Sequence, residues 1–240
     1  MSRNQANKKK SSLPLVIICG VLLVAVVGGA LLMSSNRSGG GAPSGGPNAA
    51  QTQPAAAPRP NALPGAEPPR AKGPESAAVT LEEFGDYQCP SCGVFNPVVN
   101  KMKATYGDRL RVVFRHLPLQ SMHKNAALAA RAAEAAGLQG RFWEMHDALY
   151  ENQKEWSDLP DPRPKFAEYA QRTGVSDVER FKTDLEGQSV GARIVADVRR
   201  ASSLGVSGTP SVFINGVQVR GLSESDLRRE IETALSGAGR

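Results

Sequence analysis

The sequence predicts an α/β domain at the C-terminal end of a chain with two unlike segments before it. Three observations carry this. Short runs of alternating apolar residues at 77–84, 109–116 and 211–219 read as strands. Between and after them, apolar residues recur at helical spacing. Ahead of them lie an apolar run and a stretch rich in Gly, Pro and Ala. The resulting order is β-α-β, several helices, then β-β-α, with no internal repeat.

Residues 1–12 form a basic tail with Arg3, Lys8, Lys9 and Lys10 and no acid. Leu13 to Met33 follows without a charge. As a helix it would be roughly 30 Å long, enough for a bilayer's hydrocarbon core. The preceding positive charges predict a cytoplasmic N-terminus and an exported C-terminal part. The run is longer than a signal-peptide core, and no small-x-small cleavage site follows it. An uncleaved anchor is therefore predicted, with Cys19 as a small apolar residue of that helix. Residues 34–75 hold nine prolines and no Phe, Trp, Tyr, Ile or Val. Such a segment buries too little apolar surface to offset its ordering entropy, so a disordered linker is predicted there.

Residues 76–240 are the predicted head. Ala77–Phe84 reads as a strand. A helix starts near Cys89 and runs to about Thr105, with Phe95, Val98, Val99 and Met102 inward. Arg109–His116 reads as a second strand, and His123–Leu138 as an Ala-rich helix. Phe142, Met145, His146 and Leu149 form an i, i+3, i+4, i+7 stripe. Phe166, Tyr169 and Ala170 mark a short helix. Ser176 with Glu179 predicts a capping box for the next one. Val190, Ile194, Val198 and Leu204 mark one more. Asn215-Gly216 between two short apolar runs predicts a hairpin, and Ser223 caps a last helix.

The pI of about 9.4 is no sign of nucleic-acid binding. Residues 76–240 carry 21 basic and 21 acidic side chains, so the net charge of +6 comes from the tail and linker.

The chemistry centres on Cys89-Pro90-Ser91-Cys92. Residues i and i+3 of a helical turn share a face and meet the Cα spacing of a disulfide. Cys89 at a helix start would face unpaired N–H groups and the positive end of the dipole, both of which favour thiolate. Pro90 suits the first turn, where its missing N–H has no intrahelical partner. Cys92, one turn in, is the expected buried resolving thiol. A zinc site would need two more ligands, and His116, His123 and His146 lack the spacing. His146 reads as a hydrogen-bonded core histidine, and Trp143 and Tyr150 as packing. Thr209-Pro210 opens an apolar strand, which puts the proline at an edge or boundary; whether its peptide is cis is not readable from these residues alone. Glu82 and Glu83 alternate across a strand, so only one is expected inside.

The stretches Phe84–Cys92, Phe114–Leu119, Phe142–Leu149 and Val206–Gly216 together resemble the DsbA-like branch of the thioredoxin superfamily, particularly its anchored, BdbD-like disulfide oxidoreductases. They run in that family's order over nearly all of 76–240. The resemblance implies a thioredoxin-like fold split by a helical insertion at about 122–204. It implies a catalytic pair Cys89 and Cys92, and a cis Thr209-Pro210 beside Cys89 where an extended substrate could pair. Glu83, six residues before Cys89, matches a buried acid that serves Cys92. Pro90, Ser91, Thr209 and Pro210 would contact substrate. Ser91 departs from the His or Tyr of many strong oxidases, which leaves the direction of electron flow open. Expected partners are thiol-containing exported proteins and a membrane redox partner that recycles the pair; no cofactor or metal is expected. The alternatives are an extracytoplasmic reductase or isomerase and, from another class, a non-catalytic peptide- or metal-binding envelope module.

Overall fold

The computed structural model describes residues 61–238. The predicted tail and anchor and most of the linker lie outside them. Among the described residues no helix is long and apolar enough to cross a membrane.

Five strands form one sheet: β1 (Arg70–Lys72), β2 (Val79–Gly85), β3 (Leu110–His116), β4 (Ser211–Ile214) and β5 (Val217–Gln218). Their order is β1-β3-β2-β4-β5. β2 and β3 are parallel, with Gly85 opposite His116. The crossover between them contains α1 (Pro90–Tyr106). β4 lies antiparallel on β2 and pairs Ser211 with Phe84. Six helices separate β3 from β4: α2 (Ala126–Gly137), α3 (Phe142–Glu151), α4 (Gln153–Trp156), α5 (Arg163–Arg172), α6 (Val178–Leu185) and α7 (Gln188–Ser203). α8 (Glu224–Ala238) follows the hairpin.

Alternation along β2 assigns its faces. Val79 and Leu81 pack with Phe95, Val99 and Met102 of α1 and with Leu227 and Ile231 of α8. Phe84 packs on the other face with Ala201, Leu204 and Phe213. The insertion packs around Trp156, Phe166, Tyr169 and the alanines of α2, in a cluster that also takes in Tyr87, Cys89, Cys92 and Phe114. The β4–β5 turn has φ 47° at Asn215 and φ 81° at Gly216. Positive φ at both central residues is what a two-residue hairpin of the predicted kind demands.

Several expectations are corrected. The predicted disordered linker, 34–75, extends too far: β1 lies inside it and pairs antiparallel with β3. This strand is polar, and it is ordered by what it touches. The Arg70 guanidinium bonds the buried Glu134 carboxylate, and Trp143 Nε1 donates to Ala71 O at 3.2 Å. The cap of α6 is Asp177, which accepts from Arg180 N at 2.8 Å, while Ser176 Oγ bonds Gln139 at 2.9 Å. On α7, Asp197 is buried and Val198 is not. Asp197 accepts from Ala66 N, His116 N and Arg115. Glu82 and Glu83 are both buried, because helices cover both sheet faces. Arg115 and Arg200 satisfy Glu82 on its face, at 2.8 and 2.7 Å.

Candidate active site

The loop between β2 and α1 and the first turn of that helix place Cys89 and Cys92 at the C-terminal edge of the parallel strands. Cys89 is the N-cap of α1 with extended backbone (φ −70°, ψ 120°), and Pro90 follows at the first helical position. The Cys89 carbonyl accepts from Cys92 N at 3.1 Å and from Gly93 N at 3.2 Å. The sulfur therefore sits at the end of the helix where N–H groups are unpaired. Cys89 N donates back to Asp86 O at 3.1 Å. Gln153 Nε2 donates to Tyr87 O at 2.7 Å and to Cys89 O at 2.9 Å, so the start of the insertion's α4 braces the redox turn. Gln88 ties the same turn to Ser157 O and Asn125 N. Asp86 Oδ2 holds Leu119 N at 2.9 Å and His123 Nδ1 at 2.8 Å.

Cys89 and Cys92 are free thiols. They differ in environment: Cys92 is fully buried and Cys89 is 8 % exposed. The Cys89 thiol is held down to about 5, chiefly by a hydrogen bond from Cys92, with further help from Thr209 and the main-chain N–H groups of Cys92 and Ser91. Ser91 thus contributes through its backbone. Cys92 is pushed up, because its proton serves Cys89 and because it is buried.

Thr209-Pro210 is a cis peptide. Cys89 Sγ donates to Thr209 O at 3.5 Å. Thr209 Oγ1 is buried without a partner and can donate to the sulfur once that is a thiolate. Beside the pair runs a shallow apolar groove lined by Pro90, Ser91, Val94, Phe95, Val98, Thr209, Pro210 and Leu222. Val94 is 77 % exposed at its rim.

Glu83 lies on the α1 side of β2, 2 % exposed. Burial alone pushes its carboxyl up to about 8, and its Oε1 has no partner among the described residues. The structure thus brings together Cys89, Cys92, Pro90, Ser91, Thr209 and Pro210, with Glu83 behind them. His146 is a core histidine bonded to Tyr87 Oη at 3.0 Å and Asn96 Oδ1 at 3.2 Å. Sequence reasoning missed the bracing residues Asp86, Gln153 and His123. Their partners are distant in sequence, which leaves no local pattern to read.

Residues 66–233 match the family model described as Thioredoxin. Oxidised BdbD from Bacillus subtilis is 25 % identical with a TM-score of 0.64, over 73 % of this chain and 98 % of that one. A thioredoxin-like oxidoreductase from Silicibacter pomeroyi DSS-3 is 28 % identical with a TM-score of 0.59, over 70 % and 92 %. Among curated proteins, Na(+)/H(+) antiporter NhaA 1 of Salinispora arenicola (strain CNS-205) is 44 % identical over 146 residues, which are 60 % of this chain and 21 % of that protein. The chain spans about a fifth of the length of the first of these curated relatives. With a match that takes in both cysteines, the cis-proline and every strand, the chain belongs to the thioredoxin family, and its fold is that of the DsbA- and BdbD-type structures its motifs resemble.

Proposed function

We propose that the protein is a thiol–disulfide oxidoreductase that oxidises cysteine pairs in exported proteins. The observation that carries this reading is the asymmetry of the pair: Cys89 is held down to about 5 and keeps 8 % exposure, while Cys92 is pushed up and fully buried. In thiol–disulfide exchange the sulfur with the more stable thiolate leaves more readily. A substrate thiolate attacks Cys89 of the Cys89–Cys92 disulfide, and Cys92 leaves and takes up a proton. A second substrate thiolate then attacks the sulfur of its partner in the mixed disulfide. Cys89 departs as thiolate, and two electrons have passed from substrate to protein. The groove beside Pro90 and Pro210 suits an extended chain, which would pair with the backbone of Thr209 by strand addition.

The apolar run 13–33 and the basic residues before it support a membrane anchor with the head outside the cytoplasm. The resemblance to anchored disulfide oxidoreductases supports a separate membrane partner that reoxidises the pair. The resemblance to BdbD and to the Silicibacter protein supports the reaction class. The test is oxidation of a dithiol peptide by the oxidised full-length chain. Wild type is expected to oxidise it stoichiometrically and Cys89→Ser not at all. Equal behaviour of the two would leave the site a binding module. Alkylation of Cys89 in intact cells reads the direction: mostly free thiols at steady state would mark a reductase.

A further inference from the structure

Two buried tyrosines stand side by side beneath the redox turn, with ring centroids 4.9 Å apart. Tyr87 spends its hydroxyl on His146 Nδ1 at 3.0 Å. Tyr150, from α3, is 5 % exposed and its hydroxyl has no partner among the described residues. A buried hydroxyl without a partner costs as much as a lost hydrogen bond and calls for a reason. Its position supplies one. A Cβ built on Gly85 would lie 2.9 Å from Tyr150 Oη, so this hydroxyl faces β2 at Gly85. Gly85 and Glu83 are two residues apart on one strand and point to the same sheet face. Glu83 Oε1, also buried, also has no partner. Cys92 packs in the same cluster as Tyr87 and Tyr150. The two orphan oxygens lie on one sheet face behind the redox turn, Cys92 and Glu83 both act electrostatically on the Tyr150 phenol, and Glu83 acts on Cys92. Polar groups in such a place are satisfied by an ordered water.

We propose that Tyr150 is a positioning residue for proton transfer at Cys92, its hydroxyl and Glu83 Oε1 together holding one water that connects the Glu83 carboxyl to the Cys92 sulfur. The inference rests on the proposed exchange reaction. When substrate attacks Cys89, the Cys92–Cys89 bond breaks and Cys92 leaves with the electron pair. The Glu83 carboxyl then gives its proton through the water, leaving Glu83 carboxylate and Cys92 thiol. In reverse, the carboxylate takes the Cys92 proton while that sulfur attacks the mixed disulfide, and the substrate leaves as thiolate. The titratable groups facing Glu83 are Cys92 from α1, Tyr150 from α3 and Tyr87 from the loop, with Asp86 beyond them. Burial holds both tyrosines well above the ordinary phenol range, so neither ionises where Glu83 does.

The test follows release of a peptide disulfide-bonded to Cys89 of the full-length chain, from roughly pH 5 to pH 9. Wild-type release should rise with pH through the Glu83 transition. Tyr150→Phe should slow release about tenfold, the worth of one hydrogen bond, and move the transition to higher pH. In a Glu83→Gln background the same change should do nothing further. Tyr169→Phe, whose hydroxyl binds Glu155 at 3.0 Å, should match wild type. A wild-type rate and transition in Tyr150→Phe would overturn the proposal, as would an equal slowing in the Glu83→Gln background. Infrared spectroscopy gives a reading that needs no Tyr150 variant. A Glu83 carboxyl stretch at the frequency of an unbonded acid in wild type would overturn it too. Failure of wild type to release any peptide would instead remove the exchange reaction itself.

Discussion

Glu83→Gln should stabilise the protein by an amount that grows with pH. The carboxyl sits at about 8 in the fold against 4.5 for the ordinary value, and burial is the cause. The folded state therefore binds the proton more tightly than the unfolded state does. Between these two values the folded form holds more protons, so stability falls as pH rises. Each pH unit costs about 1.4 kcal/mol. Relative to the neutral Gln, the wild-type penalty is under about 1 kcal/mol at pH 5, about 3 at pH 7, and levels near about 5 above pH 9. Cys89 acts oppositely in the reduced protein. Its thiol is held down to about 5 from 9.0, which contributes stability that is present at high pH and lost as pH falls. Wild type alone should thus show a flattened profile, and the difference between wild type and Glu83→Gln isolates the carboxyl. Urea denaturation of both reduced proteins across this range measures it. Difference curves that stay parallel to the pH axis would refute the claim that Glu83 is buried without a compensating cation.

Three further outcomes are expected. Thiolate absorbance of the reduced protein should titrate with a midpoint near 5 and vanish in Cys89→Ser; a midpoint in the ordinary thiol range would contradict the hydrogen-bonded sulfur. Arg115→Met leaves Asp197 buried and without its cation, so urea denaturation should show a loss of about 3–5 kcal/mol, and a wild-type value would mean the network adds nothing. Gly85→Ala would put a methyl 2.4 Å from the Phe114 ring and 2.9 Å from Tyr150 Oη. A loss of about 1–3 kcal/mol in thermal or urea unfolding is expected, the usual range for overpacking, and an unchanged midpoint would show that the Phe114 ring and Tyr150 can both give way.

What the sequence shows of this fold is what short-range periodicity can carry. Alternation in Val79–Gly85, the i, i+3, i+4 stripe of α3 and the Asn215-Gly216 turn each have local causes, and each element stands where its pattern puts it. The cysteine turn is local too, since both sulfurs lie within one helical turn. β1 was illegible because Arg70-Ala71-Lys72, two charged residues around one alanine, has no pattern of its own. Their order comes from β3, Glu134 and Trp143. Charged residues also mislead a reading that points them outward. Glu82, Arg115, Glu134 and Asp197 are all buried, each answered by a partner at least 18 residues away.

Glu82 and Glu83 show how far local identity underdetermines chemistry. They are neighbours of the same type on one strand, and both are buried. On one face, Arg200 and Arg115 outweigh the cost of burial and hold Glu82 below the ordinary carboxylate range. On the other face no cation answers Glu83, and burial raises it to about 8. The fold could have paired both acids or replaced one, since a neutral side chain at 83 would remove a penalty of about 3 kcal/mol at pH 7. The penalty falls on the face that Cys92 occupies, whose own thiol is pushed up and must exchange a proton each time its disulfide opens or closes. A carboxyl that changes state near neutral pH matches that demand, because a general acid or base works best when its own pKa lies near the working pH. Glu82 is therefore part of what holds the strand in place. On the proposed mechanism, Glu83 is stability given up where the redox chemistry needs a proton.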